Sequence, residues 1–233
     1  MPAIIIVLLI VAAVFAPLIS PADPIKTHIR ERNTPPFWAA DGSASNLLGT
    51  DVLGRDILSR IIFGARISLM VAAVVLSAGT VLGTVVGIIA GYFGGIVDEL
   101  IMRFVDFTLA IPFILVALVV VAAVGQSLTI VMLLLILLSW NIFARQIRAE
   151  TLQLKATEYV SLARVAGASN WRIMYRHILP GVTSTIMVLA SLRVGQLILT
   201  EAILSFLGAG IPPPTPAWGL MISEGRDYLG TAW

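Results

Sequence analysis

Residues 157–181 read TEYVSLARVAGASNWRIMYRHILPG, the one long polar, basic and helix-compatible segment set between runs apolar enough to enter a membrane. Written on a helix, Ala163, Ala166 and Gly167 fall at i, i+3 and i+4 and leave one face almost bare of side chains. Arg164, Arg172 and Arg176 add positive charge, and Leu179-Pro180-Gly181 is expected to stop the helix before the next apolar run. A smooth helical knob of this kind suits docking into another protein's groove. The same pattern fits an amphipathic helix lying on lipid, and spacing alone leaves both open.

The composition around this segment narrows the class. Of 233 residues, 58% are apolar and 12% charged, against about 25% charged in a soluble domain. The mean hydropathy is +0.98, so the chain is read as an all-α membrane protein, with spans of about 20 apolar residues each. The absence of cysteine excludes disulfides, thiolate metal sites and cysteine nucleophiles. His28 and His177, the two histidines, are too few for a histidine metal cluster. A net charge of +2 does not point to nucleic acid. No GxxxxGK[ST] loop occurs, so ATP, if it drives the protein, binds another subunit.

Five spans are expected. The first lies in residues 1–19, followed by a polar loop over 20–66. The end of that loop has Ile57, Leu58, Ile61 and Ile62 on one face and Arg55, Asp56, Ser59 and Arg60 on the other, predicting a short interfacial helix. Asp51, Arg55 and Asp56 are read as capping and ion-pairing groups, since no nucleophile accompanies them. The second span, 67–92, carries Gly79, Gly83, Gly87 and Gly91 four apart, a bare stripe for close helix packing. A short loop over 94–103 precedes the third span, 104–124, which Pro112 should kink. A turn at Gly125-Gln126-Ser127 leads to the fourth span, 128–144, and then the polar segment, counted generously as 145–182.

The fifth span, 183–207, holds Arg193, Gln196 and Glu201. Ionisable groups in a membrane generally face a bundle interior or a watery path. Arg193 and Glu201 stand about 12 Å apart along the axis, too far to pair, so each needs a partner elsewhere. Lining a pathway and anchoring a subunit interface both fit. Lys and Arg number seven in the loops on each side, so the positive-inside rule does not orient the chain.

Three segments together carry a resemblance: GTDVLGRDILSRIIFGARISL (49–69), EYVSLARVAGASNWRIMYRHILPG (158–181) and LTEAILSFLGAGIPPPTPAWGLMISEGRDYL (199–229). In order and spacing they resemble inner-membrane permease subunits of binding-protein-dependent ABC importers, in the dipeptide/oligopeptide and nickel branch. The likeness is to the second, C-type permease, and it covers nearly everything from Leu48 onward. It implies a polytopic helical bundle with the type I importer permease fold over 67–233 and a location in a bacterial or archaeal cytoplasmic membrane. It also implies a second homologous permease, two ATP-binding subunits that hold ATP and Mg, and an extracytoplasmic solute-binding protein. This chain would then bind no cofactor and be no enzyme. Such permeases have a sixth span after the Pro-rich segment, so a C-terminus short of it at Trp233 is expected.

On this resemblance 157–181 is the cytoplasmic coupling loop. The family pattern is Glu-Ala-Ala, three residues, Gly, and a Leu-Pro that ends thirteen residues on. Ala163, Gly167, Leu179 and Pro180 match it, whereas Ser161 and Leu162 stand where Glu and the first Ala are usual. Glu158, three residues earlier, is the nearest carboxylate that could substitute. The implied ATPase-coupling set is Glu158, Ala163, Arg164, Ala166, Gly167, Leu179 and Pro180. An ion-coupled carrier using Arg193 and Glu201 is the rival reading; no inverted repeat accompanies it.

Overall fold

The computed structural model describes residues 2–231. Its helices are α1 (Pro2–Val14), α2 (Ala16–Ile19), α3 (Ile57–Phe93), α4 (Gly95–Ala110), α5 (Phe113–Val124) and α6 (Leu128–Lys155). They are followed by α7 (Glu158–Val165), α8 (Asn170–Ile173), a π-helical turn over Met174–Ile178, α9 (Leu179–Phe206) and α10 (Trp218–Arg226). No strand occurs among the described residues beyond one isolated bridge between Thr50 and Asp56.

Among the described residues, three continuous helical stretches are long and apolar enough to cross a membrane alone: Ile57–Phe93, Leu128–Lys155 and Asn170–Phe206. The pair α4 and α5 makes a fourth crossing if taken as one span, bent by 81°. Pro112 causes the bend, for it has no N–H to give and holds Ile111 in extended backbone (φ −92°, ψ 127°). The expected first span falls on α1 and α2, 13 and 4 residues long, separated at Phe15.

Two boundaries differ from the sequence expectation. Residues 57–66 are not a separate interfacial helix but the opening turns of α3, which starts where Asp56 Oδ2 accepts from Ser59 N (2.8 Å) and Ser59 Oγ (2.6 Å). Residues 95–103 form helix rather than loop. Gly94 and Gly95, at φ +66° and +55°, end α3 and let α4 start at once, with Asp98 in its favourable first turn.

The chain divides into two units, 1–72 with 120–131 and 198–233, and 73–119 with 132–197. In the second unit the glycine stripe of α3 faces α6. A Cβ on Gly79, Gly87 or Gly91 would come within 2.6 to 2.8 Å of Ser139 Oγ, the Ala144 carbonyl or the Arg148 carbonyl, and one on Gly83 would meet the Trp140 carbonyl. The helices therefore touch backbone to backbone at Gly83, Gly87 and Gly91, and at Gly79 the α3 backbone meets the Ser139 side chain. Helix α4 lies along the same helix through Asp98–Arg148, Asp106–Arg145 and Thr108–Asn141, with Phe104 stacked on Trp140 at 5.9 Å.

In the first unit, Gln126 donates to the Gly208 carbonyl, and the Trp218 indole donates to the Ile61 carbonyl at 3.0 Å. Gly219 sits on the α9 backbone at Ala202, where a Cβ has no room. The Pro-rich segment and α10 are thereby held against α3 and the end of α9.

Candidate functional site

The polar segment is built on an apolar cluster within the second unit. Val160 of α7, Ile173 of α8, Met174 and Ile178 of the π turn and Val182 of α9 are buried with Ile88 and Tyr92 of α3 and Ile147 of α6. The Tyr92 hydroxyl donates to Asn170 Oδ1 at 2.8 Å, while Lys155 and Arg164 place their cationic ends 5.7 and 5.9 Å from the Tyr92 ring. Gly181 lies against Leu154, which a Cβ would meet at 2.7 Å. The segment is thus clamped to the ends of three long helices rather than hung from them.

Its local geometry corrects two sequence expectations. Ala163, Ala166 and Gly167 do not share a helical face, because α7 ends at Val165 and Gly167 turns into the left-handed region at φ +80°. Ala168 N–H bonds to the Ala163 carbonyl and Gly167 N–H to the Arg164 carbonyl, both at 3.0 Å, a Schellman stop that needs glycine at this position. Ala163 is half-buried against the internal cluster. Nor does Leu179-Pro180-Gly181 end a helix. The chain is helical from Asn170 to Phe206, and Pro180 lies in the first turn of α9 directly after the π turn. The π turn's i→i+5 bonding relieves the clash that a proline ring has with the carbonyl four residues back.

Beside its exposed charges the segment presents large apolar groups outward, and the sequence reading missed them. Leu162, Val165, Trp171 and Tyr175 are 68%, 87%, 69% and 75% exposed. The signal was available in the spacing. With Val160 buried, positions 162 and 165 fall about 200° and 140° around the helix from it. Glu158 is exposed in the first turn of α7, where the helix dipole favours its charge, and has no ion pair among the described residues. Ser161, in the place of the usual glutamate, donates back to the Thr157 carbonyl at 3.1 Å.

Two of the three polar residues of the fifth span, Arg193 and Gln196, meet on one helix. Arg193 Nη1 donates to Gln196 Oε1 one turn on. Glu201, 1% exposed, accepts from Ser205 Oγ (2.7 Å) of its own helix and Ser68 Oγ (3.3 Å) of α3. Ser205 Oγ also accepts from the Ile211 N–H at 3.2 Å, tying the Pro-rich segment to the carboxylate. The helix bearing them is the least covered of the three long ones, with 11% of its most apolar window buried against 33% and 44% for the others.

The first unit holds a second polar cluster. Asp51 Oδ2 receives Arg55 Nε at 2.6 Å and also Arg60 Nη1. Glu224 of α10 receives Arg55 Nη2 at 3.1 Å and Arg60 Nη1 at 2.8 Å. Burial works against the Asp51 charge, yet the N–H groups of Arg55 and Leu53 and the Arg55 guanidinium hold its carboxyl below the ordinary carboxylate value. The expected local pairing of Asp51 with Arg55 is present; Arg60 and Glu224 complete it across 164 residues of sequence. No group of acidic, histidine or cysteine side chains fit to hold a metal occurs among the described residues.

Comparison with known proteins gives this geometry a family. The profile of the binding-protein-dependent transport system inner membrane component family matches residues 83–233. That of the N-terminal TM domain of oligopeptide transport permease C matches residues 3–36. The chain is 39% identical to the di/tripeptide transport system permease protein of Pseudomonas aeruginosa, over 97% of this chain and 75% of that protein. It is 38% identical to the dipeptide transport system permease protein of Haemophilus influenzae, over 97% and 78%. To the glutathione transport system permease protein of Escherichia coli it is 43% identical, over 96% and 72%. The chain belongs to the binding-protein-dependent transport system inner membrane components, as a helical permease subunit of an ABC importer whose ATP hydrolysis lies in partner subunits.

Proposed function

We propose that this permease carries di- or oligopeptides across a bacterial or archaeal cytoplasmic membrane, and that residues 158–178 are the surface on which an ATP-binding subunit docks. One observation carries the docking: four large apolar side chains stand outward on a segment whose inner side is fixed to α3, α6 and α9. Exposed aromatic and aliphatic groups on a rigid base are what an interface covers. The helical path from Asn170 through the π turn into α9 then passes a push on the segment to the span holding Arg193, Gln196 and Glu201. A second, homologous permease covers the bare side of α9, where Met187, Leu192 and Leu199 are exposed. ATP and Mg bind in two partner ATPases, and an extracytoplasmic solute-binding protein delivers the peptide. The printed names of the relatives support the cargo class. Residues 1–19 are taken as a first span, in keeping with the profile matched at 3–36.

Val165→Glu tests the docking. In the full transporter it should remove the ATPase subunits from the purified complex and abolish ATP-dependent peptide uptake, with membrane insertion intact. Uptake at the normal rate in that variant sinks the proposal. Uptake that survives ATP depletion and collapses with an uncoupler would mark an ion-coupled carrier instead.

A further inference from the structure

Helix α3 and the helical stretch from Asn170 into α9 are joined near one end by the hydrogen bond from Tyr92 to Asn170, and a groove opens between them. Val85, Ile88 and Ile89 of α3 form one wall, and Trp171, Tyr175 and Leu179 form the other. Thr84 also lines it, with its hydroxyl buried out of reach. The groove holds about 150 Å³, below the ~300–1,000 Å³ of pockets that enclose a drug-sized ligand. It takes a narrow apolar chain, not a whole molecule.

Position along the helices says where such a chain comes from. Counted from Tyr92 at 1.5 Å per residue, Ile89 and Val85 lie about 4 and about 10 Å further into α3. Residues 67–92 of that helix carry no charge and belong to a stretch long and apolar enough to cross a membrane. Val85 is half exposed on that span, so the groove is open to hydrocarbon. Its other wall carries tryptophan and tyrosine, the residues enriched where membrane meets water.

Charge selects the head group. Arg172 and Arg176 each follow one of the two rings in sequence, are exposed, and have no ion pair among the described residues. No Asp or Glu occurs between Glu158 and Glu201, so nothing on this stretch offsets them. An apolar slot open to lipid, with two uncompensated guanidinium groups beside its aromatic wall, is complementary to an acyl chain that ends in a phosphate. A zwitterionic lipid fills the slot equally but brings its own cation against the same arginines.

We propose that this groove binds one anionic phospholipid, an acyl chain lying between α3 and the Trp171 and Tyr175 rings and its phosphate held by Arg172 and Arg176. The outward sides of the two rings remain with the surface assigned above to the ATPase, and the lipid site does not depend on that docking.

Native mass spectrometry of the complete, delipidated transporter tests this, because one spectrum counts bound lipids and ATPase subunits together. Added phosphatidylglycerol should bind at least ten-fold more tightly than phosphatidylcholine with the same chains. Val85→Trp, which fills the groove from α3 and lies outside the docking segment, should bind one phosphatidylglycerol fewer and keep its ATPases. Arg172→Gln combined with Arg176→Gln should weaken phosphatidylglycerol at least ten-fold and abolish its advantage over phosphatidylcholine. Val165→Glu, which tests the docking, should leave the lipid count unchanged. Equal binding of the two lipids by the unaltered transporter, or an unchanged phosphatidylglycerol count in Val85→Trp, overturns the site. So does a double arginine variant that sheds its ATPases and keeps its lipid, for the arginines would then serve the docking alone.

Discussion

The two polar regions of this permease are built on opposite principles. Around Arg60, charge is buried: two arginines at 1% and 2% exposure are held by the neighbouring Asp51 and by Glu224 from far along the chain. Around Val165, charge is on the surface with large apolar side chains, and the burial lies underneath, in a purely hydrophobic cluster closed by Tyr92. A buried ionic network fixes geometry at a desolvation cost, and removing one partner is expensive. An apolar knob on a packed base costs the free chain little and gains energy when something covers it. The first region is therefore made to hold its own chain together, and the second to be completed by another.

Substitutions at the two regions should separate on this line. Asp51→Asn takes a shared carboxylate from both arginines and should cost about 3–5 kcal/mol, read as a large drop in the melting temperature of the purified transporter. An unchanged melt would mean that water, not Asp51, solvates the arginines. Acid should act in the same direction. The folded carboxyl of Asp51 lies below its unfolded value of about 3.9. Its contribution is thus complete above about pH 4 and fades as pH falls through the folded value. The acid limb of a stability–pH curve should accordingly flatten in Asp51→Asn.

Intermediate effects belong to the glycine seam. Gly87→Leu drives a side chain into the Ala144 carbonyl and should cost at least about 1–3 kcal/mol. Gly195→Leu meets nothing within 4 Å and should leave the melt of the separate chain unchanged. If both melt alike, close packing of α3 on α6 is not what stabilises this unit. Gly167→Ala should be milder, about 1–2 kcal/mol, because open space surrounds its Cβ and only the left-handed backbone resists. Its deficit should appear in hydrogen exchange of the Gly167 and Ala168 amides, which close the Schellman stop.

What was legible in the sequence divides along physical lines. The long apolar helices, the turn at Gly125 and the kink at Pro112 follow from local composition, and all three are present. The glycine stripe was visible on α3, but nothing in it names α6 as the surface it meets. Proline 180 was misread because a π turn leaves no periodic mark, and the usual rule has proline end a helix. Ala163, Ala166 and Gly167 look like one face only if the helix continues; the left-handed Gly167 is a tertiary choice made by the packing of Ala168 and Ile173 beneath it. The first half of α4, 95–103, escaped notice because its charges, Asp98, Glu99 and Arg103, make a helix paired to α6 look like a loop. Glu224 is too far along the chain from Arg60 for any local pattern to join them.

The central claim is that residues 158–178 are covered by an ATPase. The chain has no cysteine, so Val165→Cys gives this subunit a single thiol for cross-linking in the assembled transporter, at the most exposed of the four apolar positions. The account predicts a covalent product with an ATP-binding subunit, formed on the cytoplasmic side and lost when the ATPases are stripped off. Labelling of that thiol by an impermeant reagent from outside, or an intact transporter in which it reaches only lipid, would contradict it.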